Sequence, residues 1–160
     1  MTETRQRELL AEEERLWNDL HGLIDSLTED EALEPGYFPE GGSAKDVLAH
    51  IGSWLAEAGI ALQQIRSGTY RENEVDIDAL NEQCVLGMRE LTLRDVRLQS
   101  SAARNRLCRE WAMLPAVSSE SETWVRKAGP DHYAEHLPRL REWIQELRAR
   151  DRRSRSGAEE

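Results

Sequence analysis

Two histidines four residues apart, His132 and His136, are the residues of this sequence best suited to metal chemistry. On an α-helix, side chains with this spacing project from one face about one turn apart, so a single cation can contact both imidazoles. Zinc sites in proteins generally use three or four protein ligands, and two histidines are too few. A third ligand must come from another part of the chain.

His50 is the candidate for the third ligand, because the sequence contains only four histidines. It lies one turn after Val47 and one turn before Trp54 on a predicted helix, which points its side chain toward the core. A buried polar group without a partner is costly, and a metal would supply the partner. The alternative is a histidine that packs in the core without a metal. The fourth, His21, is predicted to lie on the surface or flank of the first helix.

Apolar residues recur at helical spacing in four parts of the chain and predict an all-α fold, a four-helix bundle. The Pro- and Gly-rich segment 28–42 is predicted to be a long loop between the first two helices. The third helical part, 77–113, is predicted to be either one interrupted helix or two consecutive helices, since Thr92 and Asp95 resemble a new helix start. The predicted helical parts are 3–27, 43–67, 77–113 and 130–147.

Several finer expectations follow from the same patterns. On the first helix, Glu13 and its charged neighbours are expected to face solvent. Segment 115–129 is predicted to be a connection with at most one helical turn, and Pro138 to kink the last helix just after His136. The domain is expected to span 1–148 and to be followed by a disordered charged tail, 149–160. The residues expected to point inward in the third part are Ile77, Leu80, Cys84 and Met88.

Composition excludes some classes of function. With 160 residues, the chain suits one domain with a real core. A formal charge of −10 and a pI near 5.0 disfavour a nucleic-acid partner. No stretch has the apolar length of a signal peptide core or a membrane span, so we expect a cytoplasmic protein with no membrane partner. Cys84 and Cys108 lack metal-binding spacing and are expected to be reduced, mostly buried thiols.

Three stretches, Gly41–Ala58, Asp76–Gln83 and Asp131–Ile144, together resemble the DinB-like superfamily, over about residues 5–148. That superfamily includes mycothiol-dependent maleylpyruvate isomerase-like enzymes and colibactin-resistance cyclopropane hydrolases. The resemblance implies a four-helix bundle whose metal is held by one histidine early in the second helix and a histidine pair in the last. In this sequence these positions are His50, His132 and His136. The resemblance to this superfamily also implies that a homodimer is a reasonable expectation.

A site of three neutral imidazoles leaves a coordination position free for water or substrate, as in catalytic zinc sites. Zn²⁺ is the first choice of metal, with Ni²⁺ or Fe²⁺ as alternatives. Glu57 is a candidate general base or partner of a histidine N–H, or simply a carboxylate on the helix face. Trp54 is either core packing or a pocket wall, and Asn81 either binds substrate or satisfies a backbone group.

Two classes of function are consistent with these residues. The first is a metal-dependent enzyme that uses a low-molecular-weight thiol, such as mycothiol or bacillithiol, as an S-transferase or isomerase acting on small electrophiles. The second is a small-molecule resistance protein, either a hydrolase or a non-catalytic binder that sequesters an electrophile.

Overall fold

The computed structural model describes residues 2–72 and 76–158, and every regular element within them is an α-helix. The predicted all-α class is therefore confirmed for this part of the chain. The four longest helices contain 24, 24, 20 and 28 residues. In chain order the helices are α1 (Thr2–Asp25), α2 (Glu29–Leu33), α3 (Ala44–Ser67), α4 (Ile77–Met88), α5 (Leu93–Ala112), α6 (Ser119–Ala128) and α7 (Pro130–Gly157).

The long helices pack in two main pairs, α3 against α5 and α1 against α7. Helix α6 contacts both α3 and α7, while α4 rests mainly on α3. Apolar side chains from these helices share one core, which includes the fully buried rings of Trp111, Tyr133 and Trp143. Within the described residues, no helix combines the length and the apolar character needed to cross a membrane.

Local capping residues begin the helices where the sequence predicts. The side chain of Ser43 accepts a hydrogen bond from the Asp46 N–H, and Asp46 in turn accepts from the Ser43 N–H at 2.8 Å. The Thr92 hydroxyl accepts from the Asp95 N–H and donates to the Asp95 carboxylate, which begins α5, so the 77–113 region is two helices. Pro130 occupies the first turn of α7, where a missing N–H costs no helical hydrogen bond.

Two predicted connections contain helices. Segment 28–42 includes α2, which begins with a reciprocal capping box between Thr28 and Glu31. Segment 115–129 contains the ten-residue helix α6, which is capped by Ser118 and buries Val125 and Ala128 one turn apart. In both segments proline and glycine residues dominate the sequence pattern, whereas the capping interactions start a short helix beside them.

The predicted orientation is wrong at one residue of α4 and one of α1. No α4 residue is fully buried, and Ile77, which was expected to point inward, is 57% exposed, whereas the other three residues predicted to point inward are half-buried and Met88 packs against the core. Conversely, Glu13 was expected to face solvent but is only 1% exposed. The buried face of α1 runs through Leu9, Glu13 and Trp17 at steps of four, so the acidic side chain lies within the apolar stripe.

The tail predicted to be disordered is helical, because α7 continues to Gly157. Residues 159–160 of that tail lie outside the described residues. Arg148 forms an ion pair with Glu31, and the Arg150 guanidinium lies 5.0 Å from the Trp143 ring centroid. These contacts hold the start of an extension whose side chains at 151–158 are exposed. The helix also runs through Pro138, and the local kink stays a prediction.

Gly52 is where α3 approaches α5 most tightly among the glycines of these helices. A Cβ added there would lie 2.7 Å from Ser100 Oγ and 3.1 Å from Ser100 Cα. Gly52→Ala is expected to reduce the free energy of unfolding by about 1–3 kcal/mol, because the α5 backbone must shift. Gly22→Ala is the control: it also lies within a helix but meets nothing within 4 Å, and should gain about 0.5–1 kcal/mol. Urea denaturation measures both, and equal effects would contradict the expectation.

Candidate metal centre

Three histidines from two helices converge at one point. His50 comes from the second turn of α3, and His132 and His136 come from the first two turns of α7. His132 Nε2 lies 3.0 Å from His50 Nε2 and 3.1 Å from His136 Nε2. All three ligand atoms lie within 4.8 Å of one another, so the three histidines are close enough to hold a metal ion.

Two of the three nitrogen–nitrogen distances fit a divalent cation. Two imidazole nitrogens bound tetrahedrally at 2.0–2.1 Å from one Zn²⁺ lie about 3.3 Å apart, close to the two shorter distances here. A Nε2 atom carries at most one hydrogen, so His132 Nε2 cannot donate to both of its neighbours at once. A cation would accept one lone pair from each ring and relieve this conflict. The donor set therefore suits the metal that the sequence predicts.

Burial keeps the three rings neutral, which is the form that binds metals. Loss of hydration lowers the pKa of His132 to about 3, with a further contribution from His50 and His136. Burial, together with the nearby His136, lowers the pKa of His50 to about 4. Burial also lowers the pKa of His136. At neutral pH no proton has to be displaced from the cluster before a cation binds.

Asn81 and the Ala128 carbonyl are the neighbours of the cluster that influence the pKa of two of its rings. Asn81 Oδ1, on α4, accepts a hydrogen bond from Trp54 Nε1 at 3.0 Å. The same amide favours the protonated form of His50 and raises its pKa, against the larger effect of burial. His132 Nδ1 is buried without a hydrogen-bond partner, although the Ala128 carbonyl also favours protonation of that ring. Asn81 therefore ties α4 to the residues beside His50.

Trp54 packs against the core and also lies in the wall of a pocket, so both alternatives that the sequence left open describe it. We call this the aromatic pocket; its volume is about 310 Å³. The wall residues on α6 were not predicted, because the segment 115–129 was expected to be a connection. The tryptophan at position 124 was the available signal. The wall includes three rings, two apolar side chains and two charged residues, namely Trp54, Tyr70, Trp124, Ile77, Ala128, Glu72 and Lys127.

Glu57 lies in a groove on the face of α3 and is not part of the histidine cluster. Within the described residues, the group that could hold a metal consists of the three histidines alone. Glu57 instead lines a groove of about 490 Å³ between α3, α4 and α5, together with Cys84. Its role as a general base stays a prediction, and no contact with the histidines supports it.

A second polar cluster, which the sequence analysis missed, lies next to the start of α7. Glu13 accepts hydrogen bonds from Arg104 and, at 2.9 Å, from the hydroxyl of Tyr133, the residue after His132. The thiol of Cys108 lies 3.7 Å from the same carboxylate, and burial raises its pKa to about 12. Both cysteines are free, as expected, but each is half-buried. This thiol is protonated at neutral pH and is not a nucleophile.

His21 lies away from the metal centre, beside Trp17, with ring centroids 4.1 Å apart. It is half-buried, and its Nε2 atom has no hydrogen-bond partner. The predicted position on the flank of α1 matches this placement. His21 therefore provides a histidine control for experiments on the cluster.

Comparisons with known proteins show the fold alone. Neither a family model nor a curated protein matches the sequence. A crystal structure of an uncharacterised protein from Escherichia coli UTI89 is similar, with a TM-score of 0.76 and 12% identity over 89% of this chain and 94% of that one. The Sibling Lethal Factor precursor DfsB has a TM-score of 0.75 and 12% identity over 89% and 96%. This chain thus shares its helical arrangement with both structures.

Proposed function

We propose that this protein is a divalent-metal-dependent enzyme of the DinB-like type, with Zn²⁺ as the first choice of metal and Ni²⁺ or Fe²⁺ as alternatives. The observation that carries the metal assignment is the convergence of three neutral imidazoles, with two Nε2 pairs at 3.0 and 3.1 Å. His50, His132 and His136 would hold the ion. The four-helix type within the all-α class rests on the long α1, α3, α5 and α7 helices and on the sequence resemblance.

The proposed reaction is transfer of a low-molecular-weight thiol, such as mycothiol or bacillithiol, to a small electrophile, or isomerisation of such a substrate. A bound divalent cation would act as a Lewis acid that lowers the pKa of a thiol or water. His50, His132 and His136 would contribute neutral donors that leave the charge of the cation uncompensated. The thiol itself must come from a cosubstrate, since Cys108 is protonated and Cys84 lies in the groove beside Glu57.

The second candidate is a resistance protein that hydrolyses or sequesters a small electrophile. The aromatic pocket favours it, because a volume of about 310 Å³ beside the cluster accommodates a small molecule whether or not a thiol takes part. A small-molecule partner, the absence of nucleic-acid and membrane partners, a cytoplasmic location and a homodimer are further proposals from the sequence.

Metal analysis of protein purified without a histidine tag tests the central claim. We expect about one divalent metal per chain in the wild type and less than about 0.2 in His132→Ala, because two ligands bind weakly. His21→Ala is the matched control and should keep its metal, since His21 lies beside Trp17. Circular dichroism checks that each variant is folded. A wild-type chain that holds less than about 0.2 metal after dialysis against Zn²⁺ would contradict the proposal.

An activity assay separates the two candidates. The metal-loaded protein is incubated with mycothiol or bacillithiol and an electrophile of the chlorodinitrobenzene type. Thiol-dependent product that disappears in His132→Ala supports the transferase. Consumption of the electrophile without thiol supports the hydrolase, and tight binding without turnover supports the sequestering protein.

A further inference from the structure

The aromatic pocket adjoins the metal centre through two separate parts of the chain. Trp54 lies one turn after His50 on α3, and Ala128 lies one turn before His132 at the junction of α6 and α7. The Ala128 carbonyl also favours the protonated form of the His132 ring. A molecule in this pocket therefore lies against the same two backbone segments that position the cluster.

The two indoles in the pocket have fixed orientations and no free donor. Trp54 Nε1 donates to Asn81 Oδ1 at 3.0 Å, and Trp124 Nε1 donates to the Tyr70 hydroxyl at 3.0 Å. Both indole N–H groups are thus occupied by protein acceptors. What the two indoles can offer a ligand is the π surface of their rings. Such a surface recognises flat groups, and its orientation is set before a ligand arrives.

The charged residues at the pocket do not select an ion. Among the described residues in the wall, Lys127 and Glu72 carry opposite charges, and both are exposed. A cation would be attracted by the rings and Glu72 but repelled by Lys127. An anion would be attracted by Lys127 but repelled by the rings and Glu72. The volume of about 310 Å³ is at the lower end of ligand sites. A small, uncharged, flat ligand fits these constraints best.

We infer that the aromatic pocket binds an electron-poor aromatic ring that stacks against Trp124 and Trp54. The face of an indole carries a partial negative charge, so a ring depleted of π electrons by nitro or carbonyl groups stacks on it more favourably than an electron-rich ring. This inference rests on the proposed function and specifies its substrate class: aromatic electrophiles, bound with the ring in the pocket beside the histidines.

Binding of 1,3-dinitrobenzene to the metal-free protein tests the inference without any reaction, because this probe has no leaving group. Isothermal titration calorimetry should detect binding to the wild type. Trp124→Ala is expected to weaken binding about tenfold or more, since it removes one stacking face. Met88→Ala, in the groove that contains Glu57, is the control and should bind like the wild type. 1,3-Dimethoxybenzene, an electron-rich ring of similar size, should bind more weakly.

A second variant guards against a folding effect of Trp124→Ala. Ile77 is 57% exposed and lines the pocket, so Ile77→Trp fills the space without disturbing the core. It should also abolish binding. The inference is overturned if the wild type does not bind the probe, if Ile77→Trp binds it equally well, or if the dimethoxy compound binds more tightly.

The outcome for the pocket is separable from that for the metal. The metal-free and the Zn²⁺-loaded wild type should bind 1,3-dinitrobenzene equally well, because the probe contacts the aromatic rings and not the imidazoles. Ring binding by a chain that never acquires metal would refute the metalloenzyme and support the aromatic pocket. A metal-loaded chain that does not bind the ring would refute the aromatic pocket and support the metalloenzyme.

Discussion

Glu13→Ala is expected to lower the free energy of unfolding by about 3–5 kcal/mol, a large effect for a single acidic residue. Glu13 is 1% exposed and accepts hydrogen bonds from Arg104 Nε at 2.8 Å and Arg104 Nη2 at 2.7 Å. Tyr133 donates a third at 2.9 Å. The substitution would leave a half-buried guanidinium and a buried hydroxyl without their acceptor, and that desolvation cost is the source of the destabilisation.

Urea denaturation followed by circular dichroism measures the Glu13→Ala effect. Glu14→Ala is the matched control, because Glu14 is the next residue on α1 and is exposed, so its change should stay within about 0.5 kcal/mol. The double substitution Glu13→Leu with Arg104→Met should recover part of the loss, since no charge remains to be paired. Similar stabilities of Glu13→Ala and Glu14→Ala would show that the buried cluster contributes nothing.

Acidification from pH 7 to pH 5 is expected to destabilise the metal-free protein by about 2 kcal/mol for each of His50 and His132. Burial lowers the pKa of these rings in the folded state to about 4 and about 3, below the ordinary value of 6.5. As the pH falls below 6.5, the unfolded chain takes up protons that the folded chain cannot accept. Protons therefore favour unfolding, and the stability present at neutral pH is lost on acidification.

His132→Leu isolates the contribution of the cluster from that of the carboxylates. Denaturation at pH 7 and pH 5, in the presence of a chelator, should show a pH-dependent loss about 2 kcal/mol smaller than in the wild type. His21, whose pKa burial also lowers, is present in both proteins and cancels in the comparison. An unchanged loss in His132→Leu would mean that the ring is protonated in the folded state at pH 5.

Much of the helical framework is predictable because it depends on interactions between near neighbours in the chain. Ser43 and Asp46 cap α3 through a contact that spans three residues, and Thr92 begins α5 in the same way. The spacing of His132 and His136 places both on one face of α7. These features need only helical periodicity and capping chemistry. The third histidine, His50, could be predicted because its position on α3 directs it inward and few histidines compete with it.

The remaining features depend on which helix packs beside which, and local patterns do not encode that choice. Glu13 is buried because Arg104, 91 positions later on α5, supplies its counter-ion, whereas its sequence neighbours are charged and exposed. Similarly, Trp54 and Trp124 share a pocket only because α3 and α6 pack together. The sequence by itself determined the long helices and the histidine spacing. Tertiary packing decided which charges are paired, which rings form a pocket, and that the three imidazoles meet within 4.8 Å.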